Sequence, residues 1–430
     1  MSALAFRHIY HHHMVFQQGQ PIPVAGTGTD GDTVTVSLGG NTATATVENG
    51  TWSVELPAMP ASFTPYTLTA STATDTVALT DVLIGEVWIM TGQSNNAYQI
   101  DQITDPSLMT ALIDHVRDDA VRSVTTCHCE APTELGDLAK QAVWHRGTDD
   151  VMQEGALGIA LAKYLRDALN VPVAAVTASW GGSYISQWIG DNGMGDFVYR
   201  HTAKCWRSLR YAGMVWYQGE ADAPAALNVG YAARFGALRD QFMADFADPS
   251  LELFVVQLPN FAVEDPNGER GWVAMRCVQE SLMDTFDRVH TVCTIDMGEK
   301  DNIHPNDKRR FAERVSGQIL RVHYGDGRFA AVSPRAGAVT PTASGWDVTF
   351  DMEGALALTE GDTVYGLALE TADGTLVPTT GRIVSGNTIT VDRGTVTDAK
   401  TIQYLGENYN AAVNLFSSTG LPVFPFAVAL

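Results

Sequence analysis

At 430 residues the chain is too long for one ordinary core, and about two or three domains are expected. Its 45% hydrophobic and 18% charged residues are values of a globular protein and exclude extended disorder. A formal net charge of −22, from 27 Lys plus Arg against 49 Asp plus Glu, leaves little with which to hold a phosphate backbone, so no nucleic-acid partner is expected.

The amino-terminal stretch MSALAFRHIYHHHMVFQQ lacks a basic segment followed by an unbroken apolar one. No secretory signal is read there, and a cytoplasmic location is expected unless a leader has been trimmed. No window is long and apolar enough to span a bilayer, so no membrane association is expected. His11, His12 and His13 form too short a tract for a tag or a metal site. From Pro21 to about Thr80 come short Val- and Thr-rich runs of period two, such as Thr33–Leu38 and Thr42–Val47, which read as half-buried strands. Gly39-Gly40 and Asn49-Gly50 separate them, and the latter pair favours a tight hairpin because both residues tolerate positive φ. Residues 1–82 are therefore expected to form an amino-terminal antiparallel β domain.

The next run, Glu86 to Met90, is short and nearly all apolar, as in a strand buried on both faces. It ends in Thr91-Gly92-Gln93-Ser94-Asn95, where a glycine lets the chain bend sharply just before a serine. A serine past the carboxyl end of a buried strand stands where α/β sheets expose reactive groups, which makes Ser94 a candidate nucleophile. Gly-x-Ser arises by chance in many turns, so the partners of Ser94 decide the matter: a base, a group to orient that base, and donors for an oxyanion.

Five scattered cysteines, Cys127, Cys129, Cys205, Cys277 and Cys293, do not make a disulfide framework. In Cys127-His128-Cys129 strand alternation puts the histidine on the face opposite the cysteines, and no second ligand pair lies nearby; no metal site is expected. Downstream, helices alternate with buried strands. A helix is expected over Gly155 to Leu169, a strand over Val171 to Thr177 that runs into Ser179-Trp180-Gly181-Gly182-Ser183, and a strand over Ala212 to Tyr217 that ends in Gln218-Gly219-Glu220-Ala221-Asp222. A helix over Tyr231 to Phe246 follows, then strands over Leu253 to Leu258 and Val289 to Ile295. This alternation implies a doubly wound parallel sheet, whose strand tips at Ser94, Gly181 and Gln218 share one edge.

Asp301-Asn302-Ile303-His304-Pro305 precedes a helix expected to begin near Pro305 and to bury Phe311, Val315 and Ile319. An aspartate three residues before a histidine can reach back to the imidazole, fix its tautomer and stabilise its cation. From about Ser333 the period of two returns, in Trp346–Phe350 and Thr388–Val391, with turns at Asp373-Gly374 and Gly386-Asn387. The expected division is thus 1–82, 83–330 and 331–430.

Four ordered blocks now carry a family resemblance: Gly92-Gln93-Ser94-Asn95, Trp180-Gly181-Gly182-Ser183, Trp216-Tyr217-Gln218-Gly219-Glu220 and Asp301-Asn302-Ile303-His304-Pro305. Together with His13–Gln17 and the carboxy-terminal Gly420-Leu421-Pro422 and Pro425-Phe426, they resemble the SGNH hydrolases of the sialate O-acetylesterase type over nearly the whole chain. The resemblance implies a flavodoxin-like α/β domain flanked by antiparallel β regions, with Ser94 as nucleophile, His304 as base and Asp301 as its orienter. It implies oxyanion donors in the backbone N–H groups of Ser94 and Gly181, with Gly182 as a substitute, and in the side-chain amide of Gln218. Asn95, Trp180, Trp188 and Glu220 would contact an acetylated carbohydrate, most simply an O-acetylated sialic acid; Trp216 could also stack on a sugar, although Trp beside a sheet is commonly core. No cofactor and no metal are implied. Asn96, Ser183 and Ala221-Asp222 depart from the family pattern and bear on substrate fit. A lipase or thioesterase on the same scaffold, and a non-catalytic carbohydrate-binding protein, are the alternative readings.

Overall fold

Residues Thr76–Gly92 form a single 17-residue strand whose environment changes along its length. From Thr76 to Asp81 the residues alternate between exposed and half-buried, while every residue from Val82 to Gly92 is buried. The first part pairs antiparallel with Ser62–Ser71, and Val15–Gln17 pairs in parallel beside Leu83–Gly85. The strand thus begins well before the expected Glu86 and runs unbroken through the expected boundary after residue 82. One covalent strand carries the amino-terminal β region into the central sheet with no linker.

The computed structural model describes residues 4–126, 137–190, 196–263 and 270–430, so Cys127, His128 and Cys129 lie outside the described residues. The chain divides into two compact units, the first made of Met1–Gln218, Ala233–Leu253 and Asn306–Glu313 and the second of Gly219–Ala232, Phe254–Pro305 and Arg314–Leu430.

In the first unit the strand order is His145–Arg146, Val121–Thr125, Val173–Ser179, Thr76–Gly92 and Gly213–Tyr217. The last four are mutually parallel. Val173–Ser179 is buried at all seven positions, as expected of a strand covered on both faces. The sheet is nevertheless mixed rather than wholly parallel, because His145–Arg146 and Ser62–Ser71 join it antiparallel. Helix Ala156–Leu169 presents Ala156 to Ala162 and Leu165 as its buried surface. It ends at Asn170, whose φ of 53° is the left-handed conformation that stops a helix. Helix Pro106–Val116 starts with Asp105 accepting from the N–H groups of Ser107 and Leu108, with proline in the first turn. In the amino-terminal region Asn49 and Gly50 take φ of 53° and 72°, the tight turn expected there.

The second unit contains the expected strand Val289–Val292, all but the first residue of the expected strand Leu253–Val256, and a helix, Gly271–Thr285, that sequence periodicity did not reveal. Its carboxy-terminal part is a seven-stranded sheet from Arg335–Pro341 to Phe426–Ala429. All pairings given for that sheet are antiparallel. Val348, Leu369, Ile389, Val391, Ile402 and Tyr404 are fully buried in its core. Among the described residues no helix is long and apolar enough to cross a membrane.

Candidate active site

The parallel register sets the ends of three strands level. Gly92 is paired with Ser179 on one side and Tyr217 on the other, so Ser94, Gly181 and Gln218 all follow at the carboxyl edge of one sheet. Gly92 makes the bend with φ of 126°, and a Cβ built there would lie 2.2 Å from the Tyr217 carbonyl oxygen. Only glycine fits. The Gln93 N–H donates to that same oxygen at 2.9 Å, and Gln93 O accepts from the N–H groups of Asn96 and Ala97, both at 3.0 Å. These bonds close the single helical turn Ser94–Ala97 with Ser94 first and half-buried. Asn96 Nδ2 donates to Thr91 O at 2.6 Å and Val215 O at 3.3 Å, which gives this buried amide a bracing role under the turn.

The second tip is tied to the first, since the Trp180 N–H donates to Gly92 O at 2.9 Å. Trp180 to Ser183 form a reverse turn closed by Ser183 N–H to Trp180 O at 3.3 Å. Its third residue, Gly182, is exposed with φ of 68°, the sign that this turn position requires. The third tip is tied to the second. Gln218 is fully buried, and its Nε2 donates to Ser183 O at 3.1 Å, which fixes the plane of the amide. A serine with its hydroxyl and backbone N–H, a glycine N–H and an oriented side-chain amide thus belong to three adjacent strand ends, the types of group that a nucleophile and the donors to a tetrahedral oxyanion require.

Segment Asn306–Glu313 belongs to the same unit and supplies two anchors that sequence reading missed. Asn306 Oδ1 accepts from the Thr104 N–H at 2.8 Å and from its hydroxyl at 2.9 Å. Lys308 is fully buried; its Nζ donates to Asn95 Oδ1 at 2.6 Å and lies 4.8 Å from the Tyr98 ring centre and 5.6 Å from that of Phe311. Aromatic faces attract a desolvated ammonium, so the cation is held where it braces the residue next to Ser94. Behind the turn, the Ile100 N–H donates to Glu154 O and the Ala156 N–H to Tyr98 O. The buried Glu154 carboxylate accepts from Ser123 Oγ at 2.7 Å, Thr125 Oγ1 at 2.8 Å and His145 Nδ1 at 2.6 Å. The hydrogen bond to Glu154 raises the His145 pKa above its ordinary value, against the effect of burial.

In the second unit His304 is half-buried, and its N–H donates to Asn302 Oδ1 at 3.0 Å. Asn302 Nδ2 donates in turn to His304 O at 2.7 Å and Glu299 Oε2 at 2.9 Å. Asp301 is exposed, and its carboxylate makes no hydrogen bond or ion pair among the described residues. The expected reach of Asp301 back to the imidazole is therefore not made in this conformation, in which Asn302 holds the turn. The helix begins at Lys308, three residues beyond the expected Pro305.

The remaining expected contact residues divide by burial. Trp188, expected to face substrate, is fully enclosed: its Nε1 donates to Ser183 Oγ at 3.0 Å and its ring packs on that of Trp216, 5.0 Å between centres at 82°. Trp216 is equally buried. Both are core, because each ring fills the space beside the other and leaves no face for a sugar. Asn95 is buried with its side chain turned to Lys308, and Glu220 is buried in the second unit. Trp180 keeps a half-buried ring. Among the described residues no group of three or more His, Cys, Asp or Glu is placed to hold a metal ion.

The family model described as carbohydrate esterase, sialic acid-specific acetylesterase, matches residues 84–320. The sialate O-acetylesterase of Mus musculus is 25% identical over 416 residues, covering 76% of this chain and 75% of its own. That of Homo sapiens is 26% identical over 362 residues, covering 70% and 67%. The crystal structure of a carbohydrate acetylesterase from Xanthomonas citri superposes with a TM-score of 0.89 at 27% identity and covers 99% of both chains.

Proposed function

We propose, for a chain that belongs to the sialic acid-specific acetylesterase family of carbohydrate esterases, that its carbohydrate O-acetylesterase activity runs through an acetyl-enzyme on Ser94 and that its substrate is an O-acetylated sialic acid. Ser94 Oγ attacks the acetyl carbonyl carbon while His304 takes the hydroxyl proton. The oxyanion of the tetrahedral intermediate accepts hydrogen bonds from the Ser94 and Gly181 N–H groups and from Gln218 Nε2. Collapse breaks the bond to the sugar oxygen, which receives the proton from His304. Water, deprotonated by the same histidine, then attacks the acetyl-enzyme and releases acetate and the free serine.

The observation that carries this reading is the level register of Gly92 with Ser179 and Tyr217, together with the Gln218 amide fixed on Ser183 O. Asp301, three residues before His304, is assigned the orienting role. Because its carboxylate is exposed, that role requires it to turn onto the imidazole during the reaction. Catalysis is assigned to residues 83–330, with 1–82 and 331–430 as flanking β regions.

Acetate release from a panel of O-acetylated sialosides and other acetylated glycans tests the assignment. Folded Ser94→Ala should release none, and turnover within tenfold of wild type would reject Ser94. Asp301→Asn should lower kcat by on the order of 100-fold or more through loss of the oriented imidazole. A smaller loss would remove Asp301 from the mechanism and leave orientation to the 299–304 turn.

A further inference from the structure

Aromatic residues near the Trp180–Ser183 turn fall into two groups. Trp188 and Trp216 are fully enclosed, whereas Phe197 is 42% exposed and Tyr184 40% exposed. Large aromatic side chains left open to water lose the burial that normally holds them inside. Phe197 is nonetheless rigidly held. Its ring stacks on that of His201, with centres 4.1 Å apart and planes at 30°, and meets the edge of Trp180 at 5.6 Å and 75°. His201 is itself buried, with its Nδ1–H donating to the Phe197 carbonyl oxygen at 2.6 Å and its backbone N–H to the same oxygen at 3.1 Å. Trp180 is held in its turn by the hydrogen bond from its N–H to Gly92 O. A chain of direct contacts therefore joins the exposed Phe197 face to the bend that carries Ser94.

We propose that Phe197, backed by His201 and flanked by Trp180, is the wall on which the pyranose ring of the acetylated substrate packs. This rests on Ser94 being the nucleophile. A pyranose presents apolar C–H groups on its faces and hydroxyls around its edge, so it matches one flat aromatic surface open to water on its other sides. A long acyl chain needs a tube lined with apolar groups all round, which a single exposed ring does not make. Because Phe197 is fixed by His201 before substrate arrives, stacking costs little ordering of the protein, and the binding energy goes to the sugar side of the ester. Phe197 thereby sets specificity for a cyclic polyol as the alcohol component, and makes no contact with the reacting bond.

The test compares two acetate esters that share the acetyl group, an O-acetylated methyl sialoside and ethyl acetate, the second having no ring to stack. In Phe197→Ala the ratio of kcat/KM for the sialoside over that for ethyl acetate should fall about tenfold, mainly through a higher KM for the sialoside. Phe197→Trp, which keeps a flat face, should hold the ratio within threefold of wild type. An unchanged ratio in Phe197→Ala would overturn the wall, as would an equal loss in the Ala and Trp variants, which would mark a packing role. Ser94→Ala in the same assay separates the two readings: activity surviving there rejects the nucleophile, while the Phe197 ratio still reports on sugar contact.

Discussion

Replacing Gly92 by alanine puts a methyl group where the Tyr217 carbonyl already stands. The added carbon would lie 2.2 Å from that oxygen, 2.6 Å from its carbonyl carbon and 2.9 Å from the Tyr217 nitrogen, all of them backbone atoms that cannot rotate aside. An ordinary carbon–oxygen contact is about 3.3 Å, so the two strand ends must separate by about 1 Å. The φ of 126° adds strain of about 1–3 kcal/mol, because residues with a Cβ rarely adopt it. The displacement cannot stay local. Gly92 O accepts from Trp180 N–H, and Tyr217 O accepts from Gln93 N–H, so the same movement shifts the Ser94 turn against both neighbouring tips. Misplacing reacting groups by about 1 Å can cost about 100-fold in rate. Gly92→Ala should therefore remain folded by circular dichroism with a lowered Tm, and lose about 100-fold in kcat for acetate release from an O-acetylated sialoside. A folded variant within tenfold of wild type would show that the register of these tips does not position the nucleophile.

Gln218→Ala should lower kcat by about 100-fold with KM nearly constant, the loss of about 3 kcal/mol expected for one oxyanion donor; a raised KM at constant kcat would make Gln218 a substrate-binding group instead. Lys308→Met keeps an unbranched side chain of nearly the same length but removes the donor to buried Asn95, and should lower Tm, cost about 3 kcal/mol in denaturant unfolding and reduce kcat more than it changes KM. Wild-type stability in that assay would assign the lysine no bracing role. The raised pKa of His145 makes a stability prediction with a definite sign: protonation is favoured in the folded state, so the stabilisation by Glu154 is complete below the ordinary value of 6.5 and fades as pH rises through the higher folded value. The Tm difference between wild type and His145→Gln should accordingly shrink as pH rises above 6.5, and a difference independent of pH would contradict the pairing.

Much of the first unit was legible because its elements are locally consistent. The stripe predicting a helix over Gly155 to Leu169 gives Ala156–Leu169, and the helix expected over Tyr231 to Phe246 spans Tyr231–Asp245. Helix Gly271–Thr285 was not legible, for a reason visible in its buried face: Trp272, Met275, Arg276, Gln279 and Leu282. Two of these five are polar, which breaks the apolar stripe that periodicity detects. Arg276 is paid for at long range by the carbonyls of Leu405 and Glu407, and Gln279 Oε1 accepts from the Leu258 N–H. Partners so distant in sequence leave no local signal. The early start of the Thr76–Gly92 strand was hidden differently, since its first six residues alternate like the preceding β region while its last eleven are buried throughout.

At the candidate site, residue type suggests a chemistry but does not assign its geometry. Lys308 and Arg310 are both cationic residues of the first helical turn, yet Lys308 is fully buried while Arg310 is exposed. Lys308 meets the rings of Tyr98 and Phe311, and Tyr98 is four residues from Ser94 in sequence. Tryptophan shows the same limit from the other side. Trp180, Trp188 and Trp216 all flank motif residues, and hydrophobicity gives no ground for choosing among them. The choice is made by packing: Trp188 finds Trp216 and Ser183 Oγ and disappears into the core, while Trp180 meets Phe197 at the surface. Which aromatic stays open to water is thus decided less by its size than by its packing, and Phe197 remains exposed while stacked on His201, whose Nδ1–H is bonded to the Phe197 carbonyl oxygen.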